Sequence, residues 1–311
     1  VVRVVELASW TYVPSAGAAL ADWGLDVIKV EGVTSGDPGR ALVIGGFTRE
    51  AARPDADFLL ELGNRGKRRV AIDLKSEAGL EFFGRLIATA DVFLTDWLLG
   101  ALRRVRLTVE DIRAFNPSVI IARGTGMGVR GPDRDRGGFD AATYLARGGV
   151  AYTLTPFGWA TPAVQGPGFG DLQGGATLAG GVCAALFHRE RSGEATIVDS
   201  SLLAQAMWSI APSISAADFF DSDGIPGAPR DRRSTRWSID TRPRTTGGFN
   251  LSFCSRTSSG PASANGSACR SWPTTRDSSR SPTSLPTRRW QPNSSRTGRL
   301  ARTRDTAGDA Q

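Results

Sequence analysis

The segment GPGFGDLQGGATLAGGVCAALFHRER, residues 166–191, sets one acidic residue, Asp171, between a glycine-rich approach and a long run of small residues. That run, closed by Arg189 and Arg191, predicts a helix with Asp171 at its opening. An Asp in such a place is ordinarily an N-cap, contributing about 1 kcal/mol by accepting a backbone N–H. A carboxylate at a helix opening can also act as a nucleophile, dividing one difficult transfer into easier covalent steps. Local sequence leaves both readings open.

Other chemistry-bearing residues are few. The single histidine, His188, falls near the end of the predicted helix, where a His commonly serves a carbonyl or the helix dipole. One histidine excludes a His-based zinc site, and Cys183, Cys254 and Cys269 show neither metal-ligand nor disulfide spacing. We therefore expect no metal. Gly124, Gly126 and Gly128 mimic part of a dinucleotide loop, but no helical pattern follows them, which argues against NAD.

The elements that must position Asp171 read as an alternation. RVVELA (3–8), DVIKVE (26–31), KRRVAIDL (67–74), DVFLTDW (91–97), SVIIARGTG (118–126) and ATIVDSS (195–201) are predicted strands. PSAGAALADWG (14–24), SEAGLEFFGRLIATA (76–90) with Ser76 as its cap, and TVEDIRAFNP (108–117) capped by Thr108 are predicted helices. SLLAQAMWSIAPSISAADFF (201–220) reads as one more. Strands alternating with helices across short turns imply an α/β, Rossmann-like parallel sheet.

The net charge of +7 over 311 residues is unevenly placed. Residues 230–311 hold 16 Arg, 5 Asp and no Lys or Glu, a net +11, while residues 1–229 hold 22 basic and 26 acidic groups, a net −4. The mildly acidic folded part argues against a nucleic-acid partner despite a pI near 10. No apolar run reaches the ~20 residues of a membrane span. The first residues, VVRVVELASW, lack a signal pattern, so a cytoplasmic protein is expected.

From residue 230 Ser, Thr, Arg and Pro dominate, apolar periodicity fades, and no Glu follows Glu194. Three readings compete: a disordered basic tail, a poorly patterned domain, and a shifted reading frame in a GC-rich gene. The last is favoured by 35 Arg against 3 Lys. The expected organisation is a large domain over 1–220, a linker over 221–229 and an aberrant tail over 230–311.

Several segments in order resemble the family III CoA-transferases (the CaiB/BaiF group), whose fold α-methylacyl-CoA racemases share. They are RVVELA (3–8), GLDVIKVE (24–31), GNRGKRRVAIDLKSEAGLE (63–81) and ADVFLTDW (90–97). FNPSVIIARGTGMGVRGP (115–132), GGFDAATYLARGG (137–149) and GDLQGGATLAGGVCAALFHRERSG (170–193) complete the series. The resemblance implies that Asp171 is the catalytic carboxylate. It would attack an acyl-CoA thioester and pass through an anhydride to an aspartyl-CoA thioester, which a carboxylic acid acceptor then discharges. Coenzyme A is thereby substrate, with no tightly bound cofactor. The helix N-terminus is expected to hold Asp171 ionised, and Gly168 and Gly170 to open backbone N–H groups to an oxyanion.

The resemblance further places Trp10, Thr11 and Tyr12 against the CoA chain, and Arg40, Lys67 and Arg104 near its phosphates. Asp96 and Trp97 fall at the CoA-binding step, where Asp96 replaces the usual Asn and would repel an anionic ligand. Phe139, in the Gly138-Phe139-Asp140 step, stands where related racemases carry a catalytic His. That favours transfer over racemisation, which needs two acid/base groups. Family members are longer and form interlocked homodimers. The second domain here is truncated or aberrant, and the start looks clipped at the first strand. An inactive remnant that at most binds CoA, or interferes with dimers, is the remaining alternative.

Overall fold

The computed structural model describes residues 1–41, 58–155, 159–163 and 165–221. The expected linker beyond Asp221 and the tail lie outside the described residues. Six parallel strands form one sheet: β1 (Arg3–Leu7), β2 (Asp26–Glu31), β3 (Arg68–Ala71), β4 (Val92–Thr95), β5 (Ile120–Thr125) and β6 (Ile197–Ser201). Their spatial order is β3-β2-β1-β4-β5-β6. All six expected strands form, most of them shorter at the ends; KRRVAIDL gives only four strand residues.

Parallel strands need crossovers that cover both faces, so successive strand residues must both be apolar. Val4, Val27, Leu94, Ile120 and Ala122 enter one core, with Tyr12, Leu178, Val182 and Leu202. Their neighbours Val5, Val30, Phe93 and Ile121 enter the other, with Phe83, Ile87, Leu107 and Ile112. The helices behind the first core are α1 (Tyr12–Asp22), α7 (Phe169–Ser192) and α8 (Leu202–Ser209). Those behind the second include α3 (Glu77–Ala88), α4 (Leu99–Arg104) and α5 (Val109–Phe115).

Two caps read from sequence are in place: Ser76 Oγ accepts from Gly79 N, and Thr108 forms a capping box with Asp111. The 201–220 helix, expected as one, is two: α8 and α9 (Ala211–Phe220) meet at Ile210, with Pro212 in the first turn of α9. Proline lacks the N–H needed to continue α8. Short elements without sustained periodicity escaped the sequence reading: α2 (Phe58–Asn64), α4, α6 (Val150–Leu154) and a π-helix over Asp140–Arg147.

The helices α1 and α7 cross almost backbone to backbone. A side chain on Gly174 would lie 2.6 Å from Tyr12 Cε2, and one on Gly175 would collide with Ser15. Glycine is required there by close approach.

Candidate active site

In a sheet of this order the chain departs in opposite directions on either side of β1 and β4. Ligands of such folds bind in the crevice outside the carboxyl ends of those strands. Residues following β1 and β4 here are Ala8-Ser9-Trp10-Thr11 and Asp96-Trp97. A cleft of about 310 Å3 opens at this end and runs across the ends of β2 and β3. Its lining includes Ser9, Glu31, Asp37, Lys75 and Trp97.

The N-terminus of α7 approaches the same crevice. Gly168 adopts a left-handed φ of 73° as the N-cap, and a side chain there would lie 3.3 Å from Thr11 Cγ2. Asp171 is therefore the third helical residue and not the cap. The capping group comes from elsewhere: Asp140 Oδ1 accepts Gly170 N–H at 3.0 Å. The nearby N–H groups of Phe169 and Gly168 also favour the charged form of this carboxylate. Of the expected oxyanion donors, the Gly170 N–H is thus already engaged by Asp140. The room expected beside Gly170 is filled by the Tyr144 ring and Asp140 Oδ1, which lies 2.5 Å from where a side chain would begin.

Nor does the helix end hold Asp171 ionised at ordinary acidity. Burial, then the negative charge of Asp140, push its carboxyl up to about 7. Desolvation outweighs the dipole because the first-turn N–H groups already have a carboxylate partner. Tyr12 packs nearby, its phenol held above its ordinary value by burial, with the Asp171 charge adding to the effect.

The other expected site residues separate into two groups. Trp10 stands at the crevice, 38% exposed, in a left-handed backbone conformation with φ 65°. Its ring meets Phe139 edge to face at 5.6 Å. Trp97 lines the cleft, and Arg104 is exposed at the end of α4. Arg40 lies in a 3-10 turn (Pro38–Ala41) and makes a two-pronged pair with Glu31, at 2.8 and 2.7 Å.

Thr11 and Tyr12 are instead buried, and Tyr12 donates its hydroxyl hydrogen to Ser200 Oγ at 2.9 Å. Lys67 is fully enclosed, its Nζ 2.6 Å from Glu6 Oε2 and 2.8 Å from Pro14 O. So placed, its ammonium neutralises a buried carboxylate and is turned away from any phosphate. Asp96 accepts Ser9 N–H at 2.9 Å, and burial pushes its carboxyl up to about 7. Near neutral pH a large share of it is uncharged, which removes the repulsion expected of an Asp there.

Sequence reading missed Asp140, Lys75 and the buried set Glu6, Lys29 and Asp37. The alternation of strand residues gave one available signal: Glu6 and Lys29 are charged residues inside otherwise apolar strands. His188 sits 17 residues beyond Asp171 on α7, about 25 Å along the axis at 1.5 Å per residue. It is too distant to act on the same reacting carbon as Asp171.

Among the described residues no helix is long and apolar enough to cross a membrane. Residues 2–241 match CoA-transferase family III. The chain is 37% identical over 224 residues to the cinnamoyl-CoA:phenyllactate CoA-transferase of Clostridium sporogenes, covering 71% of this chain and 52% of the relative. It is 36% identical over 218 residues to the (R)-2-hydroxy-4-methylpentanoate CoA-transferase of Clostridioides difficile, covering 70% and 54%. A CaiB/BaiF family crystal structure from Brucella suis superposes with a TM-score of 0.64 at 32% identity, over 71% of this chain and 57% of that one. The chain spans about half the length of the curated relatives it matches. It belongs to the family III CoA-transferases.

Proposed function

We propose that this chain carries the nucleophile-bearing part of a CoA-transferase that moves coenzyme A from an acyl-CoA to a carboxylic acid. The observation that carries the reading is the placement of Asp171. It is a half-buried carboxylate with raised proton affinity, on a helix end that meets the switch-point crevice. A desolvated carboxylate that needs no capping partner is a better nucleophile than a solvated one.

The steps balance without an external base. An ionised Asp171 oxygen attacks the thioester carbon, the C–S bond breaks, and CoA leaves as thiolate with the acyl group on Asp171 as an anhydride. The thiolate attacks the Asp171 carboxyl carbon, releasing the donor acid and leaving an aspartyl-CoA thioester. The acceptor carboxylate repeats the two exchanges in reverse and departs as its CoA ester. The nucleotide end of CoA would occupy the cleft over β2 and β3, with Trp97 and Lys75 on its wall and Arg40 and Arg104 near its phosphates. Trp10 would meet the CoA chain where it turns toward Asp171. Coenzyme A enters and leaves as substrate.

We place the protein in the cytoplasm, where acyl-CoA pools are found, and read the whole protein as an interlocked homodimer. Trp208, 76% exposed on α8, and Met207, 51% exposed, present apolar surface that a partner would cover. Phe139 at the position of the racemase histidine, and His188 far along α7, favour transfer over α-proton exchange.

The test is transfer from a panel of acyl-CoAs to small carboxylic acids by the full chain, with intact-mass detection of a covalent CoA adduct. Turnover and adduct that both vanish in Asp171→Ala support the reading. CoA binding without turnover or adduct would instead support a CoA-binding remnant.

A further inference from the structure

The α7 N-terminus carries a second carboxylate that the transfer steps do not use. Asp140 opens the π-helix and accepts Gly170 N–H at 3.0 Å; burial raises its carboxyl, and the N–H groups of Gly170, Phe169 and Gly168 oppose that rise. Helix ends leave such N–H groups without intrahelical partners, and an acid within the first turn commonly takes them. Here an acid from another element takes them, and Asp171 is left without that duty. Gly170 makes the arrangement possible, because any side chain there would collide with Asp140 and Tyr144.

Two carboxylates at one helix end do not both ionise freely, since like charges at close range disfavour the second ionisation. The member with the most donors keeps the charge. Burial raises both carboxyls; at Asp140 the backbone donors of the α7 end oppose it, whereas at Asp171 the negative charge of Asp140 adds to it. We propose that Asp140 is a positioning residue for Asp171, capping α7 from the π-helix and forming with it a carboxylate pair that carries one proton. The meaning of the pair for transfer rests on the nucleophile reading above; its electrostatics do not.

The pair would give the reaction its acid limb and its nucleophilic strength together. Below the upper titration of the pair Asp171 holds the proton and cannot attack. Above it Asp171 is ionised and more basic than an ordinary carboxylate, so it attacks faster. The titratable groups that face Asp171 are Asp140 from the π-helix and Tyr12 from α1, whose phenol stays protonated across this range.

Carbon-13 NMR of the full chain labelled at aspartate carboxyls tests this, with Asp171 assigned by its loss in Asp171→Asn. Its midpoint is expected near 7 in the unmodified chain. In Asp140→Asn, which keeps an acceptor for the cap but removes the charge, it should fall by about one unit or more, a roughly tenfold rise in the ionised ratio at fixed pH. Asp140→Glu should restore it. A purely structural cap would leave the midpoint within a few tenths in Asp140→Asn, and that result overturns the proposal. If Asp140→Asn does not fold, the unmodified chain decides. Asp140, assigned through Asp140→Glu, must show a reciprocal inflection at the Asp171 midpoint, and its absence also overturns the pair. A shifted midpoint in a chain without turnover would defeat the transferase reading and leave the pair standing. Turnover with an unmoved midpoint would do the reverse.

Discussion

Lys29 Nζ and Asp37 Oδ2 lie 2.6 Å apart with both side chains wholly buried, and the other oxygen of Asp37 accepts Trp10 N–H at 3.1 Å. Lys29 also stands 3.6 Å from Glu6, which in turn pairs with Lys67. Two cations and two anions thus form a neutral set under the crevice floor, spanning β1, β2 and the residues before β3. One corner of the set fixes the backbone of Trp10, which is held in the left-handed region and leads directly to Thr11 and the α7 contact. The charged set beneath the sheet end therefore connects to the aromatic ring at the mouth of the site.

Removing one member leaves charges buried without partners, and breaking such a pair costs about 3–5 kcal/mol. Lys29→Met should destabilise the chain by that order, measured as a lower urea midpoint with the slope unchanged. The loss should hold in high salt, because buried pairs are screened little. A change below about 1 kcal/mol would show that Lys29 is not needed to neutralise Glu6 and Asp37.

Gly170 and Gly174 are both in α7, yet they meet different neighbours. Gly174→Ala presses a methyl on the Tyr12 ring and should cost about 1–3 kcal/mol of stability, the range for overpacking. Gly170→Ala meets Tyr144 and Asp140 instead, so it should displace the first turn that carries Asp171. Adduct formation from acyl-CoA should fall at least tenfold in Gly170→Ala, and far less in Gly174→Ala at a temperature where both remain folded. Equal losses in the two variants would mean that stability alone sets the activity.

What the sequence disclosed, and what it hid, follows from the range of the interactions. Strands of the parallel sheet were legible because both-face burial writes continuous apolar runs such as RVVEL. The caps at Ser76 and Thr108 were legible because their partners are three residues away. Asp171 was legible as a helix-opening acid, but its cap role was misassigned, since Asp140 reaches α7 from a distant part of the chain. Lys67 looked like a phosphate contact because a basic step in a loop says nothing of a carboxylate buried on β1. The break at Ile210 was visible in Pro212 and was overridden by the apolar content on both sides. Asp171 and Lys67 were misplaced because the groups that settle their surroundings, Asp140 and Glu6, lie far along the chain.

Asp96 offers the last expectation, in which function and stability share one titration. Its carboxyl is pushed up to about 7 chiefly by burial, against the hydrogen bond from Ser9 N–H. The unfolded chain ionises Asp96 near its ordinary value, about 3.9. Between that value and 7 the folded state binds the proton and the unfolded state does not, so stability falls as pH rises through this window. Above 7 both states are ionised and the loss levels off. Asn at this position cannot ionise, so Asp96→Asn should match the unmodified chain near pH 4 and exceed it increasingly up to about pH 7. Thermal unfolding of the two chains across pH 4–8 measures the difference directly. Titration of CoA into the same pair carries the argument to the site. The Asn variant should bind with affinity nearly constant from pH 6 to 8, while the unmodified chain weakens as Asp96 gains its charge. Parallel affinity curves for the two chains would show that Asp96 does not meet the ligand's anionic groups.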